Sequence, residues 1–163
     1  MKKETKFNII ISVLLVFVVA LDQILKYVFT NKSFVLIPNV LSILYKENSG
    51  AAYSILEGQT LFLCILTIVF LIMLVVFDHY FKEKNVLYAI SYGLILGGAF
   101  GNLFDRIRLG FVKDFIKLDF INFPVFNIAD ICLTAGVIGF IIFFIFFYGR
   151  KKEKNGTNNI QQK

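Results

Sequence analysis

The sequence predicts an all-α membrane protein: four transmembrane helices with a small β-rich cradle and a surface loop on the extracytoplasmic side. Three observations predict it. The chain is 58% hydrophobic and only 17% charged, with a mean hydropathy of +0.76, whereas a soluble domain carries about a quarter charged residues. Its apolar residues gather into four runs, each near the roughly 20 residues that cross about 30 Å of hydrocarbon. Lys and Arg are shared unequally among the segments that link those runs.

The runs cover about residues 7–29, 61–77, 86–104 and 125–148. The first is interrupted near its end by Asp22, Gln23 and Lys26. It follows a basic start, Met1-Lys-Lys-Glu-Thr-Lys6, but no small-residue cleavage site follows it, so it reads as a retained first helix rather than a removed leader. The second run, at 17 residues the shortest, is expected to need a thinner local bilayer or snorkelling flanks. Outer loops at 30–60 and 105–124 and a polar, disordered cytoplasmic tail at 149–163 complete a single integral membrane domain.

With an even number of spans, both termini share a side with the loop near Asp78–Asn85. That side holds ten Lys/Arg against four acids, and the other holds seven against seven. The whole net charge of +6 therefore lies with the termini, which places both in the cytoplasm. The same distribution excludes a nucleic-acid partner: the positive charges sit on membrane flanks and the tail, where they suit anionic headgroups of membrane lipids. His79, in a charged loop, is the single histidine, and no metal-ligand spacing accompanies it, so neither a metal nor a cofactor is expected. Cys64 and Cys132 fall inside apolar runs and read as small hydrophobes.

In the first outer loop, Phe34-Val-Leu-Ile37 and Val40-Leu-Ser-Ile-Leu-Tyr45 flank Pro38-Asn39 and read as a surface hairpin. The alternation in Gly110–Asp119 reads as a further strand. The unusual polar residues gather at this end. Asp22 and Lys26, four apart, share a helix face, either as a structural ion pair or as a contact to substrate or catalytic groups. Gly97 and Gly101 form a small-xxx-small pattern that lets helices approach closely. Asn102, Asp105 and Arg106 close the same helix with more polarity than packing needs.

Asp114 lies in the Val112-Lys-Asp-Phe115 segment, and Asp130 follows Phe123-Pro-Val-Phe-Asn127. Pro124 can open a helix and Asn127 can cap it, so Asp130 has a plain reading as a helix-start acid. Its apolar surroundings and a second aspartate on the same side of the membrane favour chemistry instead. Two carboxylates sharing a water suffice for peptide hydrolysis, one as base and the other as acid. Like charges in contact do not both ionise cheaply, so such a pair holds one proton and titrates as a unit.

Asp22-Gln-Ile-Leu-Lys26, Asn48-Ser-Gly-Ala-Ala-Tyr53, Gly97-Gly-Ala-Phe-Gly-Asn-Leu-Phe-Asp-Arg106, Val112-Lys-Asp-Phe115 and Phe123-Pro-Val-Phe-Asn-Ile-Ala-Asp130 resemble, in order, the sequence blocks of bacterial lipoprotein signal peptidase (signal peptidase II). The resemblance implies an aspartyl endopeptidase of the bacterial cytoplasmic membrane. Its substrates would be prolipoproteins bearing a diacylglyceryl group on the lipobox cysteine, cut just before that cysteine. It also implies Asp114 and Asp130 as the catalytic dyad, with Asp22, Lys26, Asn48, Gly50, Gly98, Asn102, Arg106 and Asn127 supporting it or contacting substrate. The family is the target of the cyclic peptide globomycin. A monomer is expected, and Asp105 and Asp119 are expected to matter much less than the dyad. Two positions depart from the family's habit: Leu25 replaces a small hydroxyl residue, and Tyr53 a Phe or Trp.

Other readings fit the residues less well. A carrier or proton-coupled channel predicts polar residues through the depth of the membrane or inverted repeats, yet the second and fourth runs are apolar through their centres. A presenilin-like protease would show a GxGD block and a rhomboid-like one a serine with an outer-face histidine. The first is absent, and His79 lies on the cytoplasmic side.

Overall fold

A computed structural model describes residues 3–51, 55–81 and 83–148. Tyr53, Lys82 and the tail at 149–163 lie outside the described residues. Helix α1 spans Lys3–Phe29, followed by strands β1 (Ser33–Ile37) and β2 (Leu41–Asn48). Helices α2 (Thr60–Tyr80) and α3 (Val86–Leu109), strand β3 (Val112–Leu118) and helix α4 (Ile128–Phe143) follow, and α4 runs on into a π-helical turn, Phe144–Tyr148. The described residues thus contain four helices long and apolar enough to cross a membrane, with one three-stranded antiparallel sheet, ordered β1-β2-β3.

Helix α3 is the axis of the bundle, packed between α1 and α4, with α2 against it from the side. It has the lowest hydropathy of the four spans, yet most of its central window is buried. The two facts belong together, because protein rather than lipid surrounds this helix and polar or small residues are tolerated there. The glycines set the spacing. A Cβ on Gly97 would stand 2.7 Å from Val18 Cβ on α1, and one on Gly101 would stand 2.8 Å from Asp22 Oδ2. A Cβ on Gly98 would meet the α4 backbone, 2.9 Å from Leu133 N and also against the Ala129 carbonyl. Backbone moves less readily than a side-chain tip. Gly98→Ala is therefore expected to push α4 off α3 at a cost of about 1–3 kcal/mol, seen as a lower thermal midpoint in detergent. An unchanged midpoint would show that the crossing has room to spare.

The ends of the helices differ from expectation: α1 begins at Lys3 rather than near residue 7, α3 runs on to Leu109 rather than ending near 104, and α2 and α4 differ as well. Helix α2 has 21 residues rather than 17, long enough to cross without a thinned bilayer. Its last turn takes in Asp78 and His79, so the histidine is helical and not in a loop. Asp78 there accepts a hydrogen bond from Tyr88 Oη at 2.9 Å and pairs with Lys84 at 2.8 Å, tying α2 to α3. At the other end of the chain α4 starts at Ile128, not Val125. Phe126 is held in an extended bridge to Ile116 of β3 (2.8 and 3.0 Å), and this pairing outweighs the helix-opening tendency of Pro124. Both cysteines are free thiols.

The hairpin forms as its sequence suggests. Asn39 at the tip takes φ 60°, a left-handed conformation that asparagine tolerates. Between β2 and β3 the register slips by one residue between Ile43 and Lys46, opposite the stretch Asp114–Ile116. Such a bulge bends the strand and re-aims its side chains, and this one adjoins Asp114.

Candidate active site

Strand alternation points Val112 and Asp114 to one face of β3 and Lys113 to the other. Lys113 Nζ donates to Thr30 Oγ1 at 3.1 Å, while Val112 and Asp114 line a cavity of about 690 Å³ between the sheet end of α3 and the start of α4. Asn48, Asn102, Arg106 and Asp130 supply the rest of its polar wall, and the opposite wall, running down α4 from Ile131 to Ile138, is apolar apart from Thr134.

The start of α4 carries the second aspartate. Asn127 is the N-cap: its Oδ1 accepts from Asp130 N at 3.0 Å, and Asp130 Oδ2 accepts in return from Asn127 N at 3.1 Å. This is a capping box, which satisfies two helix-end donors reciprocally. The plain reading of Asp130 as a helix-start acid is therefore correct, and the same carboxylate also faces the cavity. A third donor of this turn, Ala129 N, is taken by Asp22 Oδ1 of α1 at 3.0 Å.

Neutral amides surround both carboxylates. Asp114 Oδ2 accepts from Asn48 Nδ2 at 2.9 Å and Oδ1 from Asn127 Nδ2 at 2.7 Å. Asp130 Oδ1 accepts from Asn102 Nδ2 at 2.7 Å. Asn127 thus holds Asp114 through its side chain and Asp130 through its backbone, and its own amide also donates to Asn102 Oδ1 at 3.0 Å. Burial, together with the nearby Asp130 carboxylate, pushes Asp114 up to about 7, against the opposing pull of the Asn48 and Asn127 amides.

Lys26 stands one layer behind. Its ammonium is 1% exposed and reaches Asp22 Oδ2 at 2.8 Å, Asp105 Oδ2 at 3.0 Å and Asn102 Oδ1 at 3.0 Å. Three acceptors match its three donors. The lysine fixes which way the Asn102 amide points, and so aims Asn102 Nδ2 at Asp130.

Of the ten residues singled out in the sequence, Asn48, Asn102, Arg106, Asp114 and Asp130 line the cavity. Asp22, Lys26 and Asn127 are buried behind it. Asn48 ends strand β2, and Gly50 is the residue whose carbonyl accepts from Arg106 Nη2 at 3.0 Å. Gly98 lies at the α3–α4 crossing. Asp22 and Lys26 make their contacts within the protein, which favours the ion-pair reading of that pair.

Two further polar residues named in the sequence, but not among those ten, join the network. Asp105 is buried and accepts from Lys113 N at 3.1 Å besides its pairing with Lys26. Gln23 Nε2 donates to Asp105 Oδ1 at 2.9 Å. The sequence signal for Asp105 was its place beside Arg106 at the end of an apolar helix, and for Gln23 its place between Asp22 and Lys26. Asp119, in contrast, is a surface group held by Ser42 and Lys117, which keep its carboxyl below the usual range.

Comparison with known proteins agrees with this architecture. A family model described as signal peptidase (SPase) II matches residues 14–147. A lipoprotein signal peptidase of Enterococcus faecalis is 36% identical over 162 residues, covering 94% of this chain and 99% of that protein. One of Staphylococcus aureus is 42% identical over 157 residues, covering 91% and 96%. A solved bacterial membrane enzyme superposes with a TM-score of 0.81 at 40% identity, over 88% of this chain and 92% of its own. With the family model matched across all four spans and the sheet, the chain belongs to the signal peptidase II family of multi-pass membrane peptidases.

Proposed function

We propose that this peptidase removes signal peptides from diacylglyceryl-modified prolipoproteins, cutting just before the lipidated cysteine, with Asp114 and Asp130 activating a water. The observation that carries this reading is the pair of carboxylates in one cavity, each held by amide donors and, among the described residues, neither in an ion pair with a cation. A lysine or arginine in direct contact would hold both ionised. Amides hold their positions and leave them free to share a proton.

In the reaction, the ionised carboxylate takes a proton from water as the water oxygen bonds to the scissile carbonyl carbon. The protonated one hydrogen-bonds the developing oxyanion. When the carbon–nitrogen bond breaks, that proton passes to the leaving amine, and the products are the free signal-peptide carboxylate and the lipidated cysteine's amine. Arg106 and Asn48 hold the extended substrate backbone at the polar wall, and the acyl chains follow the apolar wall of α4 into lipid. Asp22, Lys26, Gly50, Gly98, Asn102 and Asn127 are positioning residues. The charge count supports cytoplasmic termini and a site at the outer face. The chain works as a monomer in contact with membrane lipids, and globomycin occupies the cavity.

The test is to incubate purified protein with a diacylglyceryl-modified prolipoprotein across a pH series, with and without globomycin. Cleavage before the modified cysteine is expected, and globomycin should block it. Asp114 is raised to about 7, so the shared proton is present below that pH and lost above it. The value of kcat/KM should therefore fall as pH rises through about 7, approaching tenfold per unit. Absence of cleavage, or a rate indifferent to pH between 6 and 9, would sink the mechanism.

A further inference from the structure

We propose that the Thr134 hydroxyl reads the ester linkage of the substrate's lipid, donating a hydrogen bond to an ester carbonyl of the diacylglyceryl group. This rests on the diacylglyceryl-substrate reading above and assigns a specificity residue within it.

Thr134 lines the same cavity as Asp130 and lies four residues further along α4, on the face formed by Ile131, Ala135 and Ile138. Residues four apart on a helix have Cβ atoms about 5–6 Å from each other. Along this wall Thr134 carries a hydroxyl, whereas Ile131, Ala135 and Ile138 are purely apolar.

Among the described residues two threonines at the spans bond back to their own helix, whereas Thr134, like Thr5 at the start of α1, does not, and of these two Thr134 is the one that lines the cavity. Thr67 Oγ1 donates to the carbonyl four residues back, Leu63 O, at 2.8 Å. Thr30, just after α1, does the same to Lys26 O at 2.6 Å. That back-bond is the usual way to satisfy a hydroxyl inside a membrane. Thr134 is exposed to the cavity, and among the described residues its hydroxyl has no hydrogen-bond partner. Once substrate fills this slot and excludes water, such a donor is costly unless the ligand itself meets it.

The chemistry of the proposed substrate supplies such a partner within reach. From the cleaved nitrogen the chain runs through the cysteine Cα, Cβ and sulfur into glycerol, and the first ester follows within a few bonds. With the scissile carbonyl at Asp130, the eight bonds to that ester span up to about 10 Å, which brings Thr134, about one helical turn (~5.4 Å) along α4, within reach. The acyl chains then continue past Ala135 and Ile138, which ask for no hydrogen bond.

The test compares two lipopeptide substrates on full-length protein: a diacylglyceryl-cysteine peptide and its dialkylglyceryl counterpart, which has ether oxygens and no carbonyls. Wild type should favour the diester by about tenfold in kcat/KM, the worth of one neutral hydrogen bond. Thr134→Val, which keeps the shape and removes the hydroxyl, should lose that preference, with KM rising about tenfold on the diester and far less on the diether. Thr134→Ser should retain it. A Thr134→Val enzyme that still prefers the diester, or that loses equally on both lipids, overturns the proposal. Wild-type protein that cleaves neither substrate refutes instead the peptidase reading on which the proposal stands.

Discussion

Asp114→Asn and Asp130→Asn are each expected to lower cleavage of a lipidated prolipoprotein by at least about a thousandfold, because each removes one half of the acid–base cycle. Loss of a general acid or base alone is worth roughly 10²–10⁴, and two groups acting as one unit lose nearly everything when either goes. Neither change should unfold the protein. The exchange swaps one oxygen for an amide in a site already lined by asparagines, at the cost of turning one donor toward another. Stability offers a separate check with a definite sign. Asp114 is raised from 3.8 to about 7 in the folded protein, so between those values the native state holds the proton that the unfolded chain has released. Stability must then fall as pH rises through that window. Wild type should lose melting temperature from pH 5 to pH 8, and Asp114→Asn should flatten that loss. An Asn variant with near-normal turnover would remove the dyad from the mechanism. One that is inactive but shares the wild-type pH profile of stability would show that Asp114 is not the buried, proton-holding group described.

The positions of the two aspartates were legible in the sequence because each has a local signature: Asp114 sits in an alternating strand, and Asp130 three residues after an N-cap asparagine. The hairpin was legible for a similar reason, since Pro38-Asn39 between two apolar runs leaves few alternatives. What escaped were partners that only the fold brings together. Asn127 was readable as a cap through its Oδ1, but the partners of its Nδ2, Asp114 and Asn102, come from β3 and α3. Local propensity also placed the start of α4 too early, because it has no knowledge of the backbone bonds that β3 makes to Phe126. Spacing paired Asp22 with Lys26 on one helix turn. It had no means of showing that Asp105 arrives from α3 to share the same ammonium, and Asp105 was accordingly ranked with Asp119, whose side chain is partly exposed.

That shared ammonium leads to the largest expected effect on stability. Lys26→Met should destabilise the protein by about 3–5 kcal/mol, the range for breaking a buried ion pair from one side. Lys26 is 1% exposed, and its two carboxylate partners, Asp22 and Asp105, are 0% and 2% exposed. The methionine fills the space but leaves two buried carboxylates facing each other without a cation. Gln23 and the Ala129 and Lys113 amides still hold individual oxygens, yet no formal positive charge remains between the pair. Adding Asp105→Asn to Lys26→Met removes one of the stranded charges, so the double variant should be more stable than Lys26→Met alone. That non-additivity is the mark of direct coupling. Activity should fall as well and should not recover fully in the double variant. Without the ammonium, Asn102 Oδ1 loses one of the two donors that set its amide orientation, and Asn102 Nδ2 is no longer aimed firmly at Asp130. Thermal unfolding in detergent, read alongside kcat on the lipidated substrate, separates the two effects. A Lys26→Met protein that melts within a degree of wild type would mean the carboxylates have another counter-charge. One whose double variant regains full turnover would mean that Lys26 serves charge balance alone and not the orientation of Asn102.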